Sequence, residues 1–433
     1  MTEDPRRVAL GLLAAVLDGG QPLDEALETQ PGFAHLSRRD RAFVHGLVAL
    51  TLRRLGQIDL VIAGFLDHPL PHRRKLLPVR NILRLGTAQS LFRETPAHAV
   101  VSTALKLAGG RRNTAPYKGL INAVLRRITE RGAAVRDAQD APRLNTPDWL
   151  WRAWTAAYGE ATAHAIAGAH LQEPPPLDLT PRADPHAWAG VLDAEVLPTG
   201  TLRRPGGGNV ADLPGYAEGA WWVQDAGATL PARLLGDVAG RRVLDLAAAP
   251  GGKTAQLAAA GARVTAVDRG DSRNARVRQN LDRLGLEAEV VTADATEWRP
   301  DAPADAVLLD APCTATGTLR RNPDVAHLKT PDAVRAATDL QDALLEAAAA
   351  MTAPGGTLVY CVCSLQPEEA EQRVAAFLER HPGAARRPVT ADEAAGRADW
   401  LTPDGDLRTL PCHLAERGGM DAFYAARLVM PGA

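Results

Sequence analysis

Cysteine is scarce in this chain, and what there is fits no scaffold of cross-links. Four occur, Cys313, Cys361, Cys363 and Cys412. Their spacing matches no disulfide framework, and Cys361-x-Cys363 lacks the two-residue gap of a zinc or redox pair, with no second pair to complete it. No metal is therefore expected. An excess of charge of either sign is also missing: Lys+Arg total 49 against Asp+Glu 51, a net charge of −2. That balance does not announce a nucleic-acid binder, yet it excludes none, because binding needs a local basic face and not a global surplus. Long apolar runs are absent too. None reaches the roughly 18–20 residues of a membrane helix, and Met1–Gln30 carries no secretory core. The expectation is a protein of the reducing cytoplasm without a membrane partner.

What remains is ample for globular structure. At 433 residues the chain exceeds one ordinary core, and the 46% hydrophobic share is that of a folded protein. Arg outnumbers Lys heavily, a bias for which base composition of the genome is the plainest cause.

Residues 6–132 read as helix throughout. Val8, Leu12, Leu13 and Val16 recur at helical spacing, and Phe43, Val44, Leu47, Val48 and Leu52 repeat the pattern. Ile58–Leu66, Leu77–Ser90, Ala97–Leu107 and Tyr117–Thr129 follow, parted by Pro69, Pro71, Pro96 and Gly109-Gly110. Basic runs at Arg73–Lys75, Arg111-Arg112 and Arg126-Arg127 are solvated helix surface or parts of one basic face. Gly132–Asn145 has the composition of a linker. A helix is expected from Asp148 until Pro174-Pro175-Pro176 stops it, and from Leu177 to about Leu213 strand-like pieces alternate with turns. The Trp221-Trp222 pair reads as core rather than as a platform for bases, before a helix at Ala226–Leu235.

From Arg241 strands and helices alternate, the mark of a parallel sheet covered on both faces. Val243–Leu246, Val264–Val267, Val290–Val291, Ala306–Leu309 and Thr357–Val362 are the strands, with a last strand-like run at Ala422–Met430. The expected organisation is an all-α bundle (1–132), a small α+β connector (133–225) and a Rossmann-like α/β domain with a mostly parallel sheet (226–433).

The strand ends carry the chemistry. After the first comes Ala247-Ala248-Ala249-Pro250-Gly251-Gly252-Lys253-Thr254. Two glycines let the backbone pass close to a ligand, and free N–H groups at the helix start face it. A P-loop would need Gly where Ala247 stands, so a phosphate cradle is incomplete. Asp268, Asp294 and Asp310 close the next three strands. Asp268 suits the hydroxyls of a ribose, and Asp294 an adenine amino group. Singly each is an ordinary turn residue. Together they outline a nucleoside crevice better suited to S-adenosylmethionine than to NAD.

Asp310-Ala311-Pro312-Cys313 sets a carboxylate and a thiol three residues apart, and the bare spacing makes Cys313 a nucleophile with Asp310 as its partner. One strand over, Cys361 and Cys363 reach the same sheet edge, while Glu368 and Glu369 read as acids favouring a helix start. Thiols beside such a crevice suit methylation at pyrimidine C5. That carbon is a poor nucleophile until a thiolate adds at C6. Asp310 would hold the cytosine edge and share the N3 proton.

At these residues the chain resembles the RNA (cytosine-C5) methyltransferases, in particular the RsmB/Sun/Fmu-type subfamily. The resemblance covers nearly the whole chain: Pro96–Ala99, Lys118–Arg126, Val223-Gln224-Asp225, Ala247–Thr254, Asp310–Gly317, Arg320–Asp324, Cys363-Ser364 with Pro367-Glu368-Glu369, and Asp421-Ala422-Phe423-Tyr424. It implies a NusB-like RNA-binding bundle at residues 6–132. It also implies S-adenosylmethionine contacts at Ala247, Ala248, Ala249, Pro250, Gly251, Gly252, Lys253, Asp268, Arg273, Asp294 and Asp310. It makes Cys363 the nucleophile and moves Cys313 to product release. The implied substrate is one cytosine of 16S rRNA, free or partly assembled, and the enzyme is expected to be a monomer. Two departures stand out. Cys361 and Val362 replace the family's Ala or Ser followed by Thr, which adds a rival thiol. Asp178 stands where the family has Arg, and an Asp there would repel phosphate. A tRNA-directed enzyme and an idle RNA-binding assembly factor are the rival readings. The paired thiols and the set of acids speak against the second, and the helical domain favours rRNA over tRNA.

Overall fold

The computed structural model describes residues 4–71, 73–110 and 112–432; Arg111 of the second basic run lies outside them. The chain forms two units: Met1–Glu173 with Arg321–Lys329, and Pro174–Arg320 with Thr330–Ala433.

The first unit is helical, as its periodicity predicts. Helices run over Pro5–Leu17, Leu23–Thr29, Arg38–Arg53, Leu55–Gly64, Leu77–Phe92, Ala97–Gly109 and Lys118–Asp137. Asp4 and Ser37 cap two of them, accepting from the N–H of Arg6 at 3.0 Å and of Asp40 at 3.1 Å. Leu77–Phe92 is the central helix. It buries residues all round its axis, including Val79, Ile82, Leu83, Leu85, Ala88 and Leu91. Gly86 makes this possible, because a Cβ there would stand 2.8 Å from a Leu125 methyl on the neighbouring helix. Arg84 is satisfied inside by a two-pronged pair with Asp59 at 2.7 and 2.6 Å.

The expected linker at 133–145 is not one. Lys118–Asp137 continues through Gly132, and Ala141–Leu144 adds a further turn of helix. The Ala-rich composition that reads as a spacer is also a strong helix former. The helix after Asp148 ends at Tyr158, before Gly159 at φ 81°, and a second runs Glu160–Ala169. The break thus comes at glycine and not at the prolines. Arg73, Arg74, Lys75, Arg112 and Arg126 are exposed.

Arg321–Lys329 belongs to this unit although its chain neighbours do not. Asp324 accepts from the Leu23 N–H at 3.0 Å, the His327 ring lies 2.8 Å from the Leu52 carbonyl, and Leu328 packs on the helical core.

The second unit opens with a small antiparallel sheet: β1 Leu177–Pro181, β2 Glu195–Val196, β3 Leu202–Arg204 and β4 Trp221–Val223, in the order β2-β3-β1-β4. Both tryptophans are core, and Trp221 is 0% exposed. Asp178 points inward and accepts from Arg203 twice at 2.7 Å. It is an internal ion-pair residue, so repulsion of phosphate does not arise at that position. The expected helix at Ala226–Leu235 shrinks to a turn at Gly227–Thr229 and Leu230–Arg233.

The main sheet follows: β5 Arg242–Leu246, β6 Arg263–Asp268, β7 Glu289–Thr292, β8 Ala304–Asp310, β9 Thr352–Val362, β10 Ala385–Arg386, β11 Leu407–Arg408 and β12 Tyr424–Val429. The order is β10-β12-β9-β8-β5-β6-β7, with β11 also on β12. β5 to β9 are parallel and β12 is antiparallel to β9. Apolar clusters cover both faces. Leu246, Leu309, Tyr360 and Phe377 lie in one, and Val243, Leu308, Val359 and Trp400 in the other. Strand order reverses beside β5, which opens the crevice at the carboxyl ends of β5, β6 and β8. Among the described residues no helix is long and apolar enough to cross a membrane.

Arg320, 0% exposed, pairs with Asp225 and lies 3.4 Å from Asp421, both also buried. Asp225 further accepts from the N–H groups of Gly227 and Asp421, each at 2.9 Å. Removing the cation strands two buried carboxylates. Arg320→Met is expected to lower the stability of this unit by about 3–5 kcal/mol, read by urea unfolding.

Candidate active site

Behind β5 the backbone turns sharply. Ala247 takes φ 58°, the Ala249-Pro250 peptide is cis, and Gly251 takes φ 96°. A side chain at Gly251 would be strained by that angle and would put Cβ 3.1 Å from a Val277 methyl. The helix Gly252–Ala259 starts directly after. Beside this turn lies a cavity of about 60 Å³, lined by Ala247, Val267, Asp268, Arg269, Arg273, Ala293, Asp294, Ala295, Pro312, Leu340 and Leu344. Leu340, Leu344 and Pro312 supply apolar walls, and Asp268 and Asp294 supply acceptors for hydroxyl or amino groups. That donor set fits the nucleoside part of S-adenosylmethionine. Of the expected contacts, Ala247, Asp268, Arg273 and Asp294 line the cavity, whereas Ala248–Lys253 and Asp310 do not.

Asp268 ends β6 with its side chain fully buried. It accepts from the N–H of Gly270 at 2.9 Å and of Ala249 at 3.3 Å, and from half-exposed Arg273. Arg273 thus reaches the cavity through this carboxylate. Asp294 is exposed, and the Thr296 hydroxyl and N–H, at 2.6 and 2.9 Å, hold its carboxyl below the usual range.

A second group gathers where β8 and β9 end. Their register sets Asp310 opposite Cys361, and the Ala311 N–H donates to the Cys361 carbonyl at 2.9 Å. Lys253 donates to Asp310 at 2.7 Å and lies 4.7 Å from the centre of the Phe423 ring. Burial works against the Lys253 ammonium, but the Asp310 carboxylate outweighs it, and the ammonium is held above the ordinary lysine range. Lys253 is therefore a buried partner of the candidate cytosine-recognition acid. The Cys361 thiol lies 3.6 Å from Asp310, and burial followed by that carboxylate pushes it well up. It is a neutral thiol at neutral pH.

Cys313 and Cys363 face each other, Sγ to Sγ, at 3.5 Å. The hydrogen bond to Cys363 and burial hold Cys313 well above the usual thiol range. Their loops are knitted together. The Gly317 N–H donates to the Cys363 carbonyl at 3.0 Å, and the Ala422 N–H to the Gly317 carbonyl at 3.0 Å. A Cβ on Gly317 would meet those backbones at 2.9 and 2.7 Å, so glycine is required by close approach.

Glu369 is the residue that sequence reasoning misplaced. The second helix of that stretch begins only at Glu371, and Glu369 sits in the turn Pro367–Glu369, 0% exposed. It accepts from the Thr314 N–H at 2.8 Å and from the hydroxyls of Thr314 and Ser364. An acid ahead of a helix looks like a dipole partner. The available signal was the hydroxyl-rich stretch Thr314–Thr318, which needs an acceptor when buried.

Burial pushes the Asp245 carboxyl, within β5, up to about 7. The Thr254 hydroxyl donates to it at 2.6 Å. The folded value lies above the unfolded one of about 3.9. Stability from this group is thus full below pH 4 and is lost as pH rises through 7. Asp245→Asn cannot titrate. Wild type is expected to lose stability relative to this variant between pH 5 and pH 8, by a few kcal/mol at most, read by urea unfolding at both pH values.

Comparison with known proteins places this geometry. Residues 232–429 match the model of the 16S rRNA methyltransferase RsmB/F family, and residues 3–130 that of the NusB family. Curated relatives include the ribosomal RNA small subunit methyltransferase B of Pseudomonas syringae pv. tomato, 36% identical over 98% of this chain and 97% of that one. The protein of the same name from Vibrio cholerae is 35% identical over 90% and 92%. Among solved structures, PH0851 covers 99% of both chains with a TM-score of 0.73 at 23% identity, and shares the fold. A methyltransferase homologue from Pyrococcus horikoshii covers 67% of this chain and 97% of its own, with a TM-score of 0.55 at 25% identity. With its helical N-terminal unit and its methyltransferase sheet, the chain belongs to the RsmB/F family, the S-adenosylmethionine-dependent RNA methyltransferases.

Proposed function

We propose that this protein methylates C5 of one specific cytosine in 16S rRNA through a covalent bond between Cys363 and C6. The observation that carries the reading is the thiol pair: Cys363 and Cys313, 3.5 Å apart, on loops that follow β8 and β9, where Asp310 closes β8. The names of the relatives support rRNA as the substrate, and the NusB-like unit supports a dedicated RNA-binding part. The substrate is free or partly assembled 16S rRNA, met in the cytoplasm by a monomer.

S-adenosylmethionine, when bound, supplies an electrophilic methyl group on a sulfonium. The protein's work is to make C5 able to take it. The target cytosine leaves its stack. The Cys363 sulfur, as thiolate, bonds to C6, and the electron pair of the C5–C6 double bond moves toward C5 and N3. Asp310, its carboxylate fixed by Lys253, holds the cytosine edge and shares the proton that N3 takes up from solvent as charge builds there. After methylation a base takes the C5 proton. Its bonding pair restores the double bond, the bond from Cys363 to C6 breaks, and the departing sulfur takes up a proton. Cys313 is a neutral thiol beside that sulfur. It is placed to exchange a proton with it and not to attack.

Incubation with labelled S-adenosylmethionine and RNA from cells lacking the gene, followed by mapping of 5-methylcytosine, tests the substrate. One labelled position in small-subunit rRNA is expected; transfer to tRNA alone would sink the assignment.

Cys363→Ala is expected to reduce transfer to background. Cys313→Ala is expected to accumulate a protein–RNA adduct that survives denaturing gels. An inactive Cys313→Ala without adduct, next to a Cys363→Ala that still turns over, would invert the two roles.

A further inference from the structure

Between the two cysteine loops lies a buried carboxylate that the proposed mechanism does not use. Glu369 is 0% exposed, and its hydrogen bonds go to the residues beside the two cysteines, while its charge adds to what holds the Cys313 thiol protonated. One of its oxygens takes the Thr314 N–H at 2.8 Å and the Gln341 side-chain amide at 3.3 Å. The other takes the hydroxyls of Thr314 and Ser364. Thr314 follows Cys313, and Ser364 follows Cys363. Gln341 also donates to the carbonyl of Pro312, the residue before Cys313, at 2.9 Å. The main-chain carbonyl of Glu369 receives the Tyr360 hydroxyl at 2.6 Å, which ties the turn to β9 itself.

We infer that Glu369 is a positioning residue that sets the distance between the attacking and the releasing thiol by clamping the residue next to each. The inference rests on the proposed roles of Cys363 and Cys313. A single carboxylate is suited to the task. It accepts hydrogen bonds along several directions, so one rigid group satisfies donors from both loops. Charge-assisted bonds of this kind are short and hold angle as well as distance. Without the clamp, the Thr314 and Ser364 hydroxyls keep their mutual contact at 3.4 Å, and Ser364 keeps those with Thr316 at 3.2 Å and with the Gln366 N–H at 3.1 Å. Of these only the Thr314–Ser364 contact, the longest, joins the residues next to the two cysteines. Misplacement of a reacting group by about 1 Å can cost roughly 10²-fold in rate.

The decisive variant is Glu369→Gln, which keeps the size but turns one acceptor into a donor facing other donors. Two measurements are made on the full chain. The first is turnover: kcat is expected to fall about 10- to 100-fold, while KM for RNA and the affinity for S-adenosylmethionine stay within about twofold. The second needs no activity. Diamide, a two-electron oxidant of thiols, joins Cys313 to Cys363, the diazene taking up both electrons and both protons. With the thiols 3.5 Å apart this cross-link forms readily in wild type, and in Glu369→Gln it is expected to slow at least about fivefold, a drop in pre-organisation of the kind that lost positioning produces. Exposed Glu368→Gln should match wild type in both. A merely structural Glu369 would lower the melting temperature and leave the cross-linking rate of the folded variant unchanged. That result, or an unchanged kcat, overturns the inference. Should Glu369→Gln fail to fold, Ser364→Ala removes the Cys363 side of the clamp, together with that hydroxyl's contacts to Thr314, Thr316 and the Gln366 N–H, and must slow cross-linking in the same direction. An unchanged rate there also overturns it. If wild type transfers no methyl group yet the cross-linking rates differ as stated, the functional reading fails and the clamp stands.

Discussion

Parallel pairing of β8 with β9 is the constraint on which the site depends. The register places Asp310 against Cys361, so each loop leaves the sheet within one strand spacing of the other. The residues proposed for catalysis then lie within a few positions of that edge. Cys313 and Cys363 come together because both chains emerge in the same direction, side by side, from a sheet buried on both faces. A shift of one residue in that register would turn Asp310 and its thiol neighbours to opposite faces. The apolar side chains of β8 and β9, packed on both sides, forbid it.

Electrostatics near that edge follow from burial. Lys253 and Asp310 form a pair in which the cation keeps its proton against desolvation. Two of the thiols nearby are held protonated. Cys361 is sealed behind Asp310 with its proton retained, and Cys313 is raised by its neighbour. The chain therefore carries a third sulfur at the candidate site that is buried and keeps its proton. Cys361 is 0% exposed and held in the core of β9.

Much of this was legible in the residues. The periodicity of Val8 to Val16 and of Phe43 to Leu52 announced the helical unit. The strand ends Asp268, Asp294 and Asp310 fell where alternation of strands and helices put them. The pairing of Cys313 with Cys363, on which their proposed roles rest, was not legible from spacing. Asp310 and Cys313 are near in sequence, while the partner that matters to Cys313 lies 50 residues on. Distance of that kind is set by sheet order, which no local pattern records. Glu369 was missed for a related reason. An acid before a helix has an adequate local explanation, and only the fold reveals hydroxyls from a distant loop around it. The stretch at 133–145 failed differently, since one composition serves both spacer and helix, and Gly132 is tolerated where Leu91 and Ile128 crowd around it.

The excursion of Arg321–Lys329 into the helical unit bears on how this protein could have been assembled from older parts. A bundle followed by an enzyme would normally be joined once, and either half could then be exchanged as a contiguous piece of gene. Here the polypeptide crosses from one unit to the other at 173/174, at 320/321 and again at 329/330. Asp324, His327 and Leu328 are fitted to main-chain groups and core of a bundle encoded some three hundred residues earlier. A recombinant that exchanged only the N-terminal half would inherit an insert shaped for a partner it no longer has. The bundle is thus completed by residues that the C-terminal half of the chain supplies.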